Sequence, residues 1–174
     1  MVGIILGSDS DLPKVQNCFS ILEDFGINFE LIISSAHRTP GQTREWAASA
    51  RKRGIKAIIA AAGGAAHLPG VVASHTTLPV IGVPVETQIG GGVDSILSII
   101  QMPAGIPVAA VSAGKAGGAN AALFAVEILA VYDESLAVKL SDYRKKEEQK
   151  IAAKNESIAS VGYKKYIEQL EESK

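Results

Sequence analysis

Hydrophobic positions in this chain follow two periods in turn. Short, nearly continuous apolar runs occur at Val2–Leu6, Phe29–Ile33, Ala57–Ala62, Pro79–Val83 and Pro107–Val111. They have the length of strands and little of the alternation that marks a sheet with one wet face, so they predict strands covered on both sides. Between them, apolar residues recur three and four apart. Val15, Cys18, Phe19 and Leu22 form one such stripe, and Trp46, Ala47 and Ala50 form another.

Local signals place the ends. Ser10 or Asp11 is expected to cap the first helix, with Pro13 in its first turn and Gly26 ending it. Thr39 is expected to be the N-cap of the second helix and Pro40 its first residue, because proline lacks the N–H which that position leaves unpaired. Gly54 stops it. A short helix reaches about Ser74, another runs from Val93 or Asp94 to about Gln101, and an alanine-rich one from Ala119 to about Tyr132. Strands alternating with helices of this size predict a three-layer, doubly wound parallel sheet with right-handed crossovers. Five strands favour the flavodoxin-like order 2-1-3-4-5.

The tail changes character. Fifteen of the 35 charged residues fall in Ser141 to Lys174. Leu136, Leu140 and Tyr143, then Ile158, Val161, Tyr166, Ile167 and Leu170, keep roughly helical spacing. Two amphipathic helices with a break near Asn155 are expected. They either lie on their own domain or form an arm on a neighbouring subunit. The chain thus divides into a catalytic domain, 1–133, and a C-terminal helical extension, 134–174.

Composition narrows the function classes. At 174 residues one domain with a substantial core is expected, built from aliphatic residues because aromatics make up only 5%. A net charge of -1 argues against nucleic-acid and membrane partners. A single cysteine, Cys18, gives no disulfide framework and suits the reducing cytoplasm. The opening apolar run is too short for a signal peptide. Ala57 to Val85 has no charged residue, yet Gly63, Gly64, His67, Pro69, Gly70, His75, Pro79 and Pro84 interrupt it, which removes a transmembrane reading. So much uncharged surface suggests burial against other subunits.

Two polar loops leave the first two strands: Gly7-Ser8-Asp9-Ser10-Asp11 and Ser35-Ala36-His37-Arg38-Thr39-Pro40. In an open α/β sheet both reach the ligand-binding edge. Ser8 and Ser10 offer hydroxyls for an anion, and Arg38 offers a fixed charge with paired donors. Asp11 suits sugar hydroxyls, or is simply a cap. Together they suggest a phosphorylated ribose. His37 is the nearby group able to exchange protons near neutral pH. Gly63-Gly64-Ala65-Ala66 offers close backbone approach and N–H donors to a small planar group such as a carboxylate or carbon dioxide. His67 either fixes that loop or walls the pocket. His67 and His75 lack a third ligand, so no metal site is expected. A flavin module is disfavoured by the acidic first loop, and a receiver domain by the missing aspartate after the third strand. A dinucleotide site would need a Gly-x-Gly-x-x-Gly that is not there.

These loops, with Gly63-Gly64-Ala65-Ala66-His67-Leu68-Pro69-Gly70, Gly82-Val83-Pro84-Val85 and Gln101-Met102-Pro103, resemble the N5-carboxyaminoimidazole ribonucleotide mutase family. This is the catalytic-subunit type of phosphoribosylaminoimidazole carboxylase. The resemblance spans about Val2 to Lys145. It implies a flavodoxin-like subunit of a homo-octamer and a reaction needing neither metal nor ATP nor any other cofactor. The N5 carboxylate would leave as carbon dioxide, stay in the pocket and add to C4 of the imidazole. His37 would be the general acid and base. Ser8, Asp11 and Arg38 would contact the ribonucleotide, with Ser10 and Ser35 near the phosphate. The loop of Gly63, Gly64, Ala65 and His67 would hold carbon dioxide. Around Ala65 to Gly70 the chain follows the mutase pattern rather than that of the related class that uses free carbon dioxide. Gly90 departs from the family, which usually has a hydrophobic residue there, and this implies a more mobile loop.

Overall fold

The structure, a computed structural model, describes residues 1–172; the expected tail extends to Ser173 and Lys174, outside the described residues. Five parallel strands, β1 (Val2–Leu6), β2 (Phe29–Ile33), β3 (Ala57–Gly63), β4 (Val80–Val85) and β5 (Ala109–Ala110), lie in the order 2-1-3-4-5. Val2 stands opposite Phe29 on one side and Ala57 on the other. Strand periodicity divides the core into two layers. Ile4, Leu6, Ile59, Ala61, Ile81 and Val83 face one layer, with Val15, Cys18, Leu22 and Ala121. Ile5, Ile58, Ala60 and Val80 face the other, with Trp46, Ala47, Val72 and Ile99. This is the doubly wound flavodoxin-like sheet, and Cys18 is the small core residue expected, with burial pushing its thiol up to about 12.

Helices α1 (Gln16–Asp24), α5 (Gly114–Ala130) and α6 (Glu134–Val161) cover the first layer, and α2 (Pro40–Ser49), α3 (Leu68–Ser74) and α4 (Val93–Ile100) the second. The short α7 (Tyr163–Glu172) buries no side chain. Thr39 is the N-cap of α2 and Pro40 its first residue, as the sequence indicates.

Four local expectations need correction. The chain leaves β1 through a 3-10 turn, Asp9–Lys14, before α1 begins, and its N-cap is Ser8 rather than Ser10 or Asp11. The Ser8 hydroxyl accepts the Ser10 N–H at 3.3 Å, so the turn starts two residues early. Strand β4 runs through Pro84 to Val85. Its partner β5 is only two residues long and pairs no further than Gly82, so Pro84 lies beyond that ladder. Helix α5 starts at Gly114, not Ala119. Its glycines are contact points rather than a loop: a Cβ on Gly118 would lie 3.1 Å from Val15 Cα, and one on Gly117 would overlap the Ser112 carbonyl. Finally, α6 passes Asn155 unbroken and turns at Gly162, whose φ of 78° is left-handed. Asp133 caps α6, accepting the N–H groups of Ser135 and Leu136 at 3.0 and 3.3 Å.

Candidate active site

The carboxyl ends of β1 to β4 surround a cleft of about 450 Å³. Its first wall is the turn after β1. Ser8 Oγ donates to Asp9 Oδ1 at 3.1 Å and accepts from Ser10 Oγ at 2.9 Å, which holds both hydroxyls at the mouth. Asp11 is only 6% exposed, though it touches the cleft. Burial raises its carboxyl above the ordinary aspartate range, opposed by the Lys14 charge and the Ser8 backbone. Ser8 is the cap, and the Asp11 carboxyl, three residues on, accepts in return from the Ser8 backbone, as in a capping box. Lys14 Nζ donates to the Glu86 carbonyl at 3.2 Å, tying this wall to the strand β4 loop.

The second wall is the loop before α2. Thr39, at the N-cap position, accepts the Ser35 N–H at 3.0 Å and donates to the Ser35 carbonyl at 3.1 Å, closing the loop on itself. The buried Ser34 meets Thr43 at 2.8 Å beneath it. The Arg38 N–H donates to Ser35 Oγ at 3.2 Å, and its guanidinium reaches the Gly7 carbonyl at 3.5 Å. The exposed guanidinium therefore stands between the first two loops.

His37 lies across the mouth from the third wall. Its Nε2 is 2.7 Å from His67 Nδ1, with the rings edge-on at 4.9 Å between centroids. One nitrogen of that contact must donate and the other accept, so a single proton sits between the rings.

The third loop is held from behind. Ser95 on α4 is fully buried; its hydroxyl donates to the Val85 carbonyl at 2.8 Å and accepts the Gly64 N–H at 3.0 Å. Ala66 has a φ of 41°, unusual for a residue with a side chain, and follows Gly64 at 71°. Thr87 donates to Asp94 Oδ1 at 2.6 Å, and this bond lowers the carboxyl of Asp94.

The cleft thus brings together Ser8, Ser10, Asp11, Ser35, His37, Arg38, Gly63 and His67. Gly64 and Ala65 stay off its surface, and Ala66 takes their place. The Gly64 N–H is already given to Ser95, so it is not free for a ligand. His75 is remote from the cleft. Lys14, Glu86 and Thr87 line it without having been singled out. Lys14 is three residues from Asp11, the spacing of one turn, which is the signal that could have found it. Among the described residues no group of three or more His, Cys, Asp or Glu is placed to hold a metal.

Residues 1–150 match the family described as AIR carboxylase. The N5-carboxyaminoimidazole ribonucleotide mutase of Thermotoga maritima is 50% identical over 170 residues, 98% of each chain. That of Bacillus subtilis is 51% identical over 158 residues, 91% of this chain and 98% of its own. The phosphoribosylaminoimidazole carboxylase of Saccharomyces cerevisiae is 52% identical over 97% of this chain, which spans only 29% of that longer protein. Among solved structures, Treponema denticola PurE superimposes with a TM-score of 0.79 at 30% identity, covering 92% of this chain and 98% of its own. The match begins ahead of β1 and ends within α6, and so takes in every loop that walls the cleft: the chain belongs to the AIR carboxylase family.

Proposed function

We propose that this protein converts N5-carboxyaminoimidazole ribonucleotide to 4-carboxy-5-aminoimidazole ribonucleotide, an isomerisation in purine biosynthesis, with the chemistry carried by the His37–His67 pair. The relatives named as mutases match over nearly their whole length, which favours this reaction over carboxylation by free carbon dioxide.

The proton balance explains why one histidine serves. As the N5–carboxylate bond breaks and carbon dioxide departs, the imidazolium of His37 gives its proton to N5. C4 of the ring then attacks the retained carbon dioxide, and neutral His37 removes the proton that C4 carried. Every group returns to its starting state, so the cycle consumes no oxidant, reductant or nucleotide. If His37 donates Nε2–H to His67 Nδ1 throughout, Nδ1 of His37 is the atom that alternates between acid and base. His67 then fixes the tautomer and ring orientation, and the wall and loop roles merge.

Arg38, Ser10 and Ser35 are assigned to the phosphate, since the guanidinium is exposed between two hydroxyl-bearing loops. Ser8 and the buried Asp11 are assigned to the ribose. Gly63 and His67, with Ala66 in place of Ala65, are assigned to retaining carbon dioxide, while Gly64 contributes through its bond to Ser95. Residues 1–133 form the catalytic unit and 134–174 an extension that serves assembly. A homo-oligomer, an octamer by the family resemblance, is supported by α4, whose Val93, Leu97 and Ile100 are each about half exposed on one face. A cytoplasmic setting fits the substrate and the free cysteine. Among the described residues no helix is long and apolar enough to cross a membrane.

The test is substrate labelled in its N5 carboxylate, supplied without ATP and with unlabelled bicarbonate. Product labelled at C4 with little dilution is expected. Complete washout would make free carbon dioxide the substrate. In parallel, His37→Asn should lose about 10²–10⁴-fold in turnover while still binding nucleotide. An active His37→Asn enzyme would remove His37 from the chemistry.

A further inference from the structure

The edge of the sheet opposite the catalytic cleft holds a larger cavity, of about 970 Å³. It lies at the amino ends of β4 and β5, so the length of a strand, roughly 20 Å, separates it from His37. Arg44, Arg51 and Lys52 reach it from α2 and the turn that follows, a spacing that aligns them with Ala48 on one face. No carboxylate lines it. On a chain of net charge -1, three fixed cations facing one cavity without an acid is a local reversal of sign.

Structure accounts for only one of the three. Arg51 Nη2 donates to Thr77 Oγ1 at 3.0 Å and to its carbonyl at 3.4 Å, which ties the turn after α2 to the loop ahead of β4. Arg44 and Lys52 have no hydrogen-bond or ion-pair partner among the described residues. The opposite wall is apolar, formed by Leu78, Pro79 and Ile106. A polar, cationic rim over an apolar wall is the combination that takes a flat ring and a phosphate together.

We propose that this cavity is a second ligand site, taking a phosphate-bearing small molecule of the nucleotide class, with the phosphate on Arg44, Arg51 and Lys52 and the ring on the apolar wall. The site is independent of the reaction assigned to the cleft and stands whether or not that assignment does.

Calorimetric titration of the full-length protein with ATP, and separately with inorganic phosphate, tests it. Arg38→Ala disables the anion contact in the cleft, so binding to the second site should persist in that variant. Arg44→Ala combined with Lys52→Ala should weaken it by at least about tenfold, the equivalent of one charge-assisted hydrogen bond, and Arg44→Lys should restore part of the loss. ATP binding without phosphate binding supports a nucleotide site, and equal binding of both supports recognition of the phosphate alone. Three results would overturn the proposal. They are a wild type that neither probe saturates, binding that vanishes in Arg38→Ala and survives in the double variant, and a double variant of changed assembly size, which would show that a second copy covers this edge.

Discussion

Removing one oxygen atom from Ser95 should damage both the stability of the fold and the geometry of the cleft. The Ser95 hydroxyl is fully buried and bridges two elements, giving its proton to the Val85 carbonyl and accepting the Gly64 N–H. Ser95→Ala removes two hydrogen bonds of 2.8 and 3.0 Å and leaves the Gly64 N–H without its partner. A net hydrogen bond contributes about 0.5–1.5 kcal/mol, and a buried group left unpaired costs about 1–3 kcal/mol. The variant should therefore lose about 2–4 kcal/mol, a large part of the roughly 5–15 kcal/mol of a typical domain. Gly64 lies three residues before His67, so the loop bearing the partner of His37 should also shift; displacements near 1 Å can cost about 10²-fold in rate. Ser98→Ala is the internal control, because its contact with the Gly64 carbonyl is only 3.5 Å and its other bond lies within α4. Urea titrations at one protein concentration, with turnover measured alongside, decide the matter. Equal midpoints and equal rates for the two variants would refute the reasoning.

Asp11→Asn should weaken substrate binding yet stabilise the fold at neutral pH. Burial raises the Asp11 carboxyl above its usual 3.8, so the native state resists its ionisation. Wild type is therefore at its best below the unfolded-state value, and the cost grows as pH rises through the folded one. The gap between variant and wild type in urea midpoint should close at about pH 3, and a gap independent of pH would reject this account. Ending the chain after Gly162 removes α7, which buries no side chain, so turnover per cleft should be unchanged while assembly size is free to fall; an assembled but inactive truncate would show that α7 reaches a site.

The sheet was legible because its signals are redundant. Five apolar runs, the Thr39–Pro40 start and the buried stripe of Trp46, Ala47 and Ala50 all point the same way. Where two physical causes leave one signature, the reading failed. Gly117 and Gly118 put the expected helix start at Ala119, but glycine serves equally where backbones touch, and only the approach of Ser112 and Val15 separates the two. Asn155 is a weak helix former that a long helix tolerates, whereas Gly162 takes a φ of 78°, which favours glycine, and ends one. Ser10 and Asp11 both looked like caps; the earlier Ser8 took the role. Within the cleft, loops after strands announced most of the side chains. The pairing of His37 with His67 could not be read, since thirty residues separate them and the sheet alone brings them to 2.7 Å.

The departures from good local structure gather at one edge of the sheet. Asp11 is a carboxylate kept from water with only the Lys14 charge and the Ser8 backbone to offset its burial, and Ala66 holds a backbone angle that a side chain disfavours. Each costs folding free energy on its own. The buried Ser95, Ser34 and Thr43 lie directly behind these residues, hydrogen-bonded, and the exposed Thr39 continues the chain of hydroxyls from Ser34. A loop fastened from the core side can hold an unfavourable conformation at the surface, because relaxing it would break the bonds beneath. On this reasoning the serines and threonines under the cleft set its geometry as firmly as the residues that meet the substrate, and their loss should be felt in rate and stability together.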